Sequence, residues 1–451
     1  MAENITTLCK NAANLLASFP SSTTIRVVSH YDADGIAAAG VLCTMLYRQG
    51  YDFHCSLMRN PFTKGFDRLK NEQNRLIIFA DMGSGQLETI EQLGCPAIVL
   101  DHHQYLTEKT SKNIIQINAN LCGIDGNYEA SGATLAYALA TTLNVNNEDL
   151  ASLALAGATG DKQHFGGIRG FNKTILDRAI QKNILSEQTS LKLYGETIAD
   201  ALFYSIDPYY QGVSGNKEAI QETLKKLSLD PDTNMGALDA ATMMRLQSFL
   251  LFYLIRKGCT NTIIESTIRK RYVSTSQDWE LERFADLLDA CGKNGYRSLG
   301  LSLCLGNGQS WNEAISVEQD YKQKILEGLH GLDNKGLHEA EGLTYFYSDS
   351  SSLGGVIAGI AMNYVLDGSK PLFSLAKKEE EHEVHVSCRG TQQLVHKGLD
   401  LGAAMKTIAT ELDGYGGGHK IAAGATIALE REQEFLEKVN NVLVQQLRGT
   451  P

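Results

Sequence analysis

The chain of 451 residues is 43% hydrophobic and 21% charged, which is ordinary for a globular protein and leaves room for two or three domains. A formal net charge of −11 excludes a protein that coats nucleic acid through a broad basic face, but not a nuclease whose substrate charge is met locally. The nine cysteines form no Cys-x-x-Cys pair, and the first residues lack a signal-peptide pattern, so we expect a cytoplasmic protein. No apolar run is long enough to cross a bilayer, so we expect no membrane partner.

The first predicted strand ends in a polar turn. The β-branched run that begins at Ile25 leads into His30, Asp32 and Asp34, and a helical pattern then extends from Ile36 to Arg48. Buried parallel strands have this pattern, and open α/β sheets bind ligands at the carboxyl ends of such strands. Paired carboxylates repel each other unless a cation lies between them, which favours a divalent metal. The alternative is a simple turn with an aspartate N-cap, and this stretch alone leaves both interpretations open.

The same design recurs further along the chain. Apolar strands are predicted to end at Asp81 and at Asp101-His102-His103, and a helix that starts near Glu148 ends in Gly160-Asp161. The alternation of strands and helices at these lengths predicts an α/β domain with a doubly wound parallel sheet.

The carboxyl ends of parallel strands meet at one edge of a sheet, so we expect the polar groups at these ends to converge. These groups are His30, Asp32, Asp34, Asp81, His102, His103 and Asp161. Seven oxygen and nitrogen donors suit a two-metal site with ions about 3.5–4 Å apart on a phosphoester. Carboxylate and imidazole ligands suit Mn²⁺, and Mg²⁺ fits if more water ligands are kept. A single aspartate at a strand end is more often a helix cap, but four such ends in succession favour the metal site.

The middle of the chain carries no chemistry that its residues reveal. Helical periodicity predicts helices at Asn172 to Asn183, Lys217 to Leu227, Ala237 to Lys257 and Asn261 to Lys270. The basic run Arg269-Lys270-Arg271-Tyr272 is compact enough to contact a phosphate backbone, but a solvated helix end is the plainer interpretation.

A smaller α+β domain is predicted from about Gly342. It includes a hairpin around an acidic turn, whose second strand ends near Arg389, and a glycine run at Gly416, Gly417 and Gly418 before His419, which is predicted to form a turn. Consecutive glycines leave backbone N–H groups free to approach an anion, and a histidine beside them can donate to phosphate. An arginine at a strand end can hold phosphate through two parallel hydrogen bonds, although a surface arginine is the alternative.

Four motifs resemble those of the DHH phosphoesterase superfamily, in the same order and at comparable spacing. They are Ser29-His30-Tyr31-Asp32-Ala33-Asp34-Gly35, Phe79-Ala80-Asp81, Asp101-His102-His103-Gln104 and Gly160-Asp161. The glycine run with His419 resembles the signature of the DHHA1 domain, and weaker matches at residues 204–212 and 281–292 resemble archaeal RecJ-like proteins. The resemblance implies a DHH domain at residues 1–185, a mostly helical middle region at 186–335 and a DHHA1 domain at 336–451.

The resemblance also implies roles for individual residues. The expected metal ligands are His30, Asp32, Asp34, Asp81, His102 and Asp161. Among them Asp81 would bridge two ions, whereas His30 stands where bacterial relatives often carry aspartate. The expected catalytic groups are His103, Asp81 and Asp101, with His103 in contact with the scissile phosphate. The expected substrate-binding residues are His103, Arg389, Gly416, Gly417, Gly418 and His419.

The function that follows from the resemblance is metal-dependent exonucleolytic hydrolysis of single-stranded DNA or RNA. Archaeal RecJ-like proteins resemble a helicase-bound subunit that partners GINS and the MCM ring, so GINS and MCM are candidate partners. Three alternatives stay open: a nano-RNase or small-nucleotide phosphatase, a pyrophosphatase of the same superfamily, and a replication scaffold.

Overall fold

The computed structural model describes residues 4–62, 65–105 and 113–448, and the side chains of residues 333–335 also lie outside this description. Contacts within the chain define two compact units. The first comprises the residues up to Ser190 together with Lys270–Glu318, and the second comprises Leu191–Arg269 together with the residues from Gln319 onward. The three-domain division expected from the sequence stays a prediction.

Strands and helices alternate through most of the chain. The strands are β1 (Ile25–His30), β2 (Phe53–Met58), β3 (Ile77–Ala80), β4 (Ala97–Asp101), β5 (Ile114–Asn118), β6 (Leu185–Leu191), β7 (Ile268–Ser274), β8 (His338–Glu339), β9 (Thr344–Tyr347), β10 (Leu372–Lys378), β11 (Glu383–Arg389), β12 (Tyr415–Gly418) and β13 (Ala422–Ala428). The helices are α1 (Ile5–Ala17), α2 (Ala33–Arg48), α3 (Phe66–Asn71), α4 (Leu87–Glu91), α5 (Gly132–Leu143), α6 (Ala151–Gly160), α7 (Gly170–Gln181), α8 (Ile198–Phe203), α9 (Lys217–Lys226), α10 (Ala240–Arg256), α11 (Asn261–Thr267), α12 (Leu281–Lys293), α13 (Arg297–Cys304), α14 (Ser310–Lys335), α15 (Gly354–Tyr364), α16 (Gln392–His396), α17 (Leu401–Glu411) and α18 (Glu432–Arg448).

The first unit contains a five-stranded parallel sheet in the order β2-β1-β3-β4-β5. Successive residues of β1 face opposite sides, because side chains alternate along a strand. Val27 enters the core formed with α2, α5 and α6, whereas Val28 enters the core formed with α3 and α4. Helices therefore cover both faces, which confirms the predicted doubly wound sheet. The strand order reverses between β1 and β3, the place where such sheets bind ligands.

Helices α12 and α13 return to this unit after a long excursion of the chain. Helix α12 carries one apolar face, including Phe284, Leu288 and Cys291, and packs against α2 and α6. Helix α13 also packs on α2. Residues 281–304 thus lie beside α2, which follows the first predicted motif, and beside α6, which precedes the fourth.

The basic run in the middle of the chain lies in a strand, so the predicted helix end is wrong. Helix α11 ends at Thr267, and β7 then pairs with β6 in a two-stranded sheet. Arg271 is 2% exposed, and its guanidinium donates to the carboxylates of Glu280 and Glu282. A buried, paired arginine explains one charge of the run without any contact to nucleic acid.

The second unit contains a six-stranded mixed sheet in the order β12-β13-β11-β10-β9-β8. Strands β9 and β10 are parallel, while β10 and β11 form the predicted hairpin around the acidic turn Glu379–Glu381. The glycine run predicted as a turn is instead strand β12, antiparallel to β13. A Cβ on Gly416 would lie 2.6 Å from the carbonyl oxygen of Met405, so this glycine lets α17 lie directly on the strand.

Candidate metal centre and active site

The structure brings all seven groups predicted from the strand and helix ends to the carboxyl edge of the parallel sheet. They form three overlapping groups in which potential ligand atoms lie within 4.8 Å of one another. The groups are His30-Asp32-Asp81, Asp34-His102-Asp161 and Asp81-His102-His103. Asp81 and His102 each belong to two groups, so the donors form one continuous cluster.

The polar turn after β1 serves as a helix cap and as part of the cluster at once. The carboxylate of Asp32 accepts a hydrogen bond from the backbone N–H of Gly35 at 3.1 Å, which caps α2. Its Oδ2 also lies 2.9 Å from Nδ1 of His30, and that nitrogen lies 3.4 Å from Oδ2 of Asp81. The two interpretations left open by the sequence are therefore compatible.

Asp81 occupies the centre of the cluster in an unusual backbone conformation. Its φ is +57°, the left-handed region that non-glycine residues seldom adopt and that is enriched at functional sites. One carboxylate oxygen lies 3.1 Å from Nε2 of His102, and the other faces His30. The residue is 3% exposed, so both oxygens point into the cluster rather than into bulk water.

Asp34 is completely buried and is held by the start of α5. Its carboxylate accepts hydrogen bonds from Ser131 Oγ at 2.7 Å and from the backbone N–H groups of Gly132 at 2.6 Å and Ala133 at 3.1 Å. Helix N-termini favour anions, which compensates part of the cost of burying this charge. Ser131 is also the N-cap of this helix, and its bond to Asp34 was not predicted from the sequence.

Two glycines make room for the buried carboxylates. A Cβ on Gly132 would lie 2.6 Å from Cβ of Asp81, and a Cβ on Gly157 would lie 2.5 Å from Oδ1 of Asp34. Side chains essentially never approach so closely, so any larger residue would displace a cluster carboxylate. Neither position could be predicted from the sequence, because one glycine among many small helical residues gives no local signal.

His102 has one ring nitrogen fixed by the backbone and the other turned to the carboxylates. Its Nδ1 donates to the carbonyl oxygen of Gly126 at 2.6 Å. Its Nε2 lies 3.1 Å from Asp81 and 3.2 Å from Asp161. Histidines that ligate metals commonly donate their other N–H to a carbonyl in this way, which leaves a lone pair on the ligating nitrogen.

His103 is oriented by Asp101. Its Nδ1 lies 2.8 Å from Oδ1 of Asp101, which also accepts the backbone N–H of His103, while Oδ2 accepts that of Ser84 at 2.8 Å. The side chain of His103 is 60% exposed, whereas that of Asp101 is buried. Asp101 belongs to none of the groups of described residues that could hold a metal, so its contacts are those of an orienting partner.

Burial and crowding raise the pKa values of three carboxyl groups. Burial, followed by the charge of Asp81, raises the pKa of Asp34 to about 7 and also raises that of Asp32. Burial and the charge of Asp34 raise the pKa of Asp161 well above its usual value. Burial alone would also raise the pKa of Asp81, but hydrogen bonds from His102 and His30 lower it.

The donor set fits divalent cations on two observations. The raised carboxyl pKa values come from burial and from carboxylates that lie beside one another, and a bound cation relieves both. With Nδ1 held by the carbonyl oxygen of Gly126, His102 presents Nε2 toward Asp34, Asp81 and Asp161 as the nitrogen that could bind a metal. Oxygen and imidazole donors without sulfur suit Mn²⁺ or Mg²⁺ rather than a thiolate-bound ion.

The predicted substrate-binding residues of the second unit meet at one end of its sheet. Arg389 ends β11 opposite Ala422 of β13, whose carbonyl oxygen accepts the backbone N–H of His419. The Arg389 guanidinium donates to the carbonyl oxygen of Cys388 at 2.9 Å, and burial lowers its pKa. His419 is exposed at the turn after β12. Gly417 and Gly418 belong to that strand, with Gly416 covered by α17.

Sequence comparisons match the two regions that carry these residues. Residues 24–158 match the DHH family, N-terminal domain, and residues 342–445 match the DHHA1 domain. An uncharacterized protein of Methanocaldococcus jannaschii is 30% identical over 431 residues, which is 94% of each chain. The fold and the site thus define a phosphoesterase of the DHH class.

Solved structures share the fold over the whole chain. CDC45 from Entamoeba histolytica has a TM-score of 0.68 at 12% identity, covering 99% of this chain and 100% of that one. RecJ from Thermus thermophilus, in complex with Mn²⁺, has a TM-score of 0.61 at 17% identity, covering 97% of this chain and 55% of that one. The chain belongs to the DHH family and carries a DHHA1 domain. Within the described part of the chain, none of the helices combines the length and apolar character needed to cross a bilayer.

Proposed function

We propose that the chain is a metal-dependent exonuclease that hydrolyses phosphodiester bonds of single-stranded DNA or RNA. The observation that carries the proposal is the position of Asp81, whose two carboxylate oxygens face separate donor groups containing His30 and His102. One carboxylate between two donor sets is the arrangement that a two-metal phosphoesterase requires. The proposed cofactor is a pair of Mn²⁺ ions, for which Mg²⁺ can substitute.

The proposed ligands divide between the two donor sets. His30 and Asp32 would hold one ion, Asp34, His102 and Asp161 would hold the other, and Asp81 lies beside both sets. When bound, the ions supply water activation and neutralise charge on the reacting phosphate.

His103 is the proposed contact to the scissile phosphate. Its hydrogen bond to Asp101 raises its pKa, which favours a proton on both ring nitrogens. With Nδ1 held by Asp101, Nε2 is the nitrogen that donates to a phosphate oxygen in the transition state. Asp101 is the positioning residue in this scheme, because it orients the ring without entering either donor set.

Substrate binding by the second unit is part of the same proposal. Arg389 and the exposed His419 lie on neighbouring chain segments at one end of the sheet, and Gly417 and Gly418 offer backbone without side chains there. A guanidinium, an imidazole and accessible backbone suit a phosphate group. Gly416 is the weakest member of the predicted set, because helix α17 covers it.

Two alternatives have support of their own. The likeness to CDC45 extends over both chains, which supports a scaffold with GINS and MCM as partners. A nano-RNase or small-nucleotide phosphatase would use the same donor set on a shorter substrate. We favour the exonuclease because a pure scaffold has no need of a complete cluster, including the strained backbone of Asp81.

The test is product analysis with end-labelled single-stranded DNA and RNA of matched sequence, in the presence of Mn²⁺, Mg²⁺ or chelator. Stepwise release of mononucleotides with Mn²⁺, lost in Asp81→Asn, supports the exonuclease. Cleavage of dinucleotides alone would move the assignment to the small-nucleotide phosphatase. A protein that takes up Mn²⁺ but cleaves neither, and that retains purified GINS in a pull-down, would be the scaffold.

A further inference from the structure

Helix α12 touches the polar turn of the metal centre directly. A Cβ on Gly292 would lie 1.9 Å from the carbonyl oxygen of Tyr31, the residue between His30 and Asp32. So close an approach of helix and turn is available only to glycine. Gly292 thereby holds the end of α12 against the polar turn, and the chain then enters α13 at Arg297.

The first residue of α13 places a guanidinium over the ring of Tyr31. The Cζ atom of Arg297 lies 5.2 Å from the ring centroid of Tyr31, within the range of a cation–π contact. The Tyr31 ring in turn meets that of His30 edge-on, with centroids 4.8 Å apart. Two short steps therefore connect the guanidinium to a proposed metal ligand.

Arg297 is also fixed to the carboxyl edge of the sheet. Its Nη1 donates to the carbonyl oxygen of Leu57 at 3.1 Å, and Leu57 lies beside Ser29 in the register of β1 and β2. Its Nε is buried and donates to none of the described residues. The guanidinium thus has one buried donor without an acceptor in the described chain, at the edge where the donor cluster lies, while Nη2 makes no hydrogen bond to the described residues and is not buried.

Unused donors on a fixed, partly buried guanidinium call for an acceptor. Buried polar groups are nearly always hydrogen-bonded, and an orphaned donor is costly unless a ligand completes it. A planar guanidinium with two free donor positions matches the oxygens of a phosphate. The neighbouring cluster brings four aspartates together, and their charge repels phosphates, so a fixed cation here also offsets that repulsion.

We infer that Arg297, held over Tyr31, binds the phosphate adjacent to the scissile one in a single-stranded substrate. The inference rests on the proposed nuclease function and adds to it a strand-binding contact supplied by α13. It explains why α13 lies against the turn of the metal centre although it is distant from the four motifs in sequence. It also makes the site selective for substrates with more than one phosphate, because a lone phosphodiester leaves Arg297 without its acceptor.

The test compares two substrates in wild type and Arg297→Gln. One substrate is a single-stranded oligonucleotide, and the other is bis(p-nitrophenyl) phosphate, which has no adjacent phosphate. We expect the loss of kcat/KM on the oligonucleotide to exceed the loss on the small diester by about tenfold or more. Equal losses on both substrates would overturn the inference, because they would mean that Arg297 only supports Tyr31 and the metal centre.

A binding measurement separates this contact from catalysis. Oligonucleotide binding is followed by fluorescence anisotropy at several salt concentrations in the Asp81→Asn background, with and without Arg297→Gln. Loss of one phosphate contact should reduce the slope of log K against log salt by about 0.7, and Arg297→Lys should keep the slope because it keeps the charge. An unchanged slope in Arg297→Gln would contradict the inference.

The matched control is Arg48→Gln, which removes the same charge at the other end of α2. That helix has 16 residues, so Arg48 lies about 24 Å along it from the polar turn, and its guanidinium is paired with Asp149 at 2.7 Å. The control should keep both the substrate ratio and the salt slope of wild type. If wild type itself neither binds nor cleaves single strands, the proposed function fails, and that result differs from a failure at Arg297 alone.

Discussion

The two ends of strand β1 differ in how buried charge is compensated by neighbouring groups. At the amino end, Arg26 is 2% exposed and donates to Glu72 at 2.7 Å, to Ser56 at 2.9 Å and to two backbone carbonyls. At the carboxyl end, four carboxylates crowd together, and three of them carry raised pKa values because they are buried beside one another. The same strand thus has a charge that is paired within the fold at one end and a crowded cluster of carboxylates at the other.

The difference separates stability from function along one element. A buried charge with all its partners strengthens the native state only modestly, but removing one partner is costly. A buried cluster of like charges destabilises the native state, and such clusters are retained where function requires them, as at a ligand-binding site. Substitutions at the amino end should therefore change the free energy of unfolding but not the catalytic rate. Substitutions at the carboxyl end should change the catalytic rate more than the free energy of unfolding.

The largest expected effect is the loss of activity in Asp81→Asn. The amide has nearly the same size, but it cannot offer two anionic oxygens to the groups that contain His30 and His102. We expect kcat to fall about 10³-fold or more, equivalent to about 4 kcal/mol of transition-state stabilisation. Hydrolysis of the end-labelled oligonucleotide with Mn²⁺ measures it.

Arg48→Gln is the control for Asp81→Asn, because it also changes one charge of the first unit but lies far from the cluster. It should keep activity within about twofold of wild type. An Asp81→Asn protein that keeps more than about a tenth of wild-type activity would show that the carboxylate is not shared between two ions.

The next largest effect is expected for Gly132→Ala, which changes none of the cluster residues but displaces one of their side chains. A Cβ at this position would lie 2.6 Å from Cβ of Asp81 and 3.0 Å from Oδ2 of Asp34, so one carboxylate must shift. A displacement of this kind costs about 10²-fold in kcat, or about 2.7 kcal/mol. Gly308→Ala is the matched control, because a Cβ there would meet nothing within 4 Å. Equal activities of the two variants would mean that the cluster tolerates displacement.

At the amino end of β1 we expect Glu72→Ala to reduce stability with little effect on catalysis. Arg26 would remain buried without its ionic partner, which costs about 3–5 kcal/mol for a fully buried pair and about 2 kcal/mol here, since the Glu72 side chain is 23% exposed. Urea unfolding followed by intrinsic fluorescence measures the change, and kcat should stay within about twofold of wild type.

The difference in stability between wild type and Glu72→Ala should depend on pH with a definite sign. Burial alone would raise the pKa of Glu72, but the ion pair with Arg26 outweighs burial and lowers it. A lowered folded-state pKa gives stability that is present above the unfolded pKa of about 4.3 and is lost as the pH falls. The gap between wild type and Glu72→Ala should therefore close in acid. A gap that widens in acid would show that the pair is not ionic.

The sequence predicted the sheet and the site where local pattern and tertiary position agree. Strands β1, β3 and β4 are short apolar runs that each lead into aspartate, so their carboxyl ends could be placed at one edge before any contact was known. The bonds that hold Asp34 could not be predicted, because Ser131 and Gly132 reach it across about a hundred residues. Only the folded chain shows which helix start meets which carboxylate.

The two incorrect predictions have a common physical cause. The basic run near Arg271 and the glycine run at Gly416 were judged by their own residues, as a helix end and as a turn. Each is a strand whose partner decides its structure: β6 for the first, and β13 with α17 packed on it for the second. Tertiary context overrides local propensity most easily in such short segments.

The smallest expected effect is also the most direct test of the contrast between the two ends of β1. Asp161 ends α6, where the helix dipole disfavours negative charge, and burial beside Asp34 raises its pKa well above the usual value. In chelator, Asp161→Asn should therefore stabilise the protein by about 1 kcal/mol, a rise in Tm of about 2–4 °C, while its activity falls. The gain should shrink as the pH falls, because the wild-type carboxyl group, whose pKa is raised, takes up a proton and relieves the same repulsion. Added Mn²⁺ should raise the Tm of wild type more than that of the variant, since the variant has lost an anionic ligand. A variant that is less stable than wild type in chelator would mean that Asp161 is satisfied by the fold, as Arg26 is, and that the cluster does not depend on a cation for its charge balance.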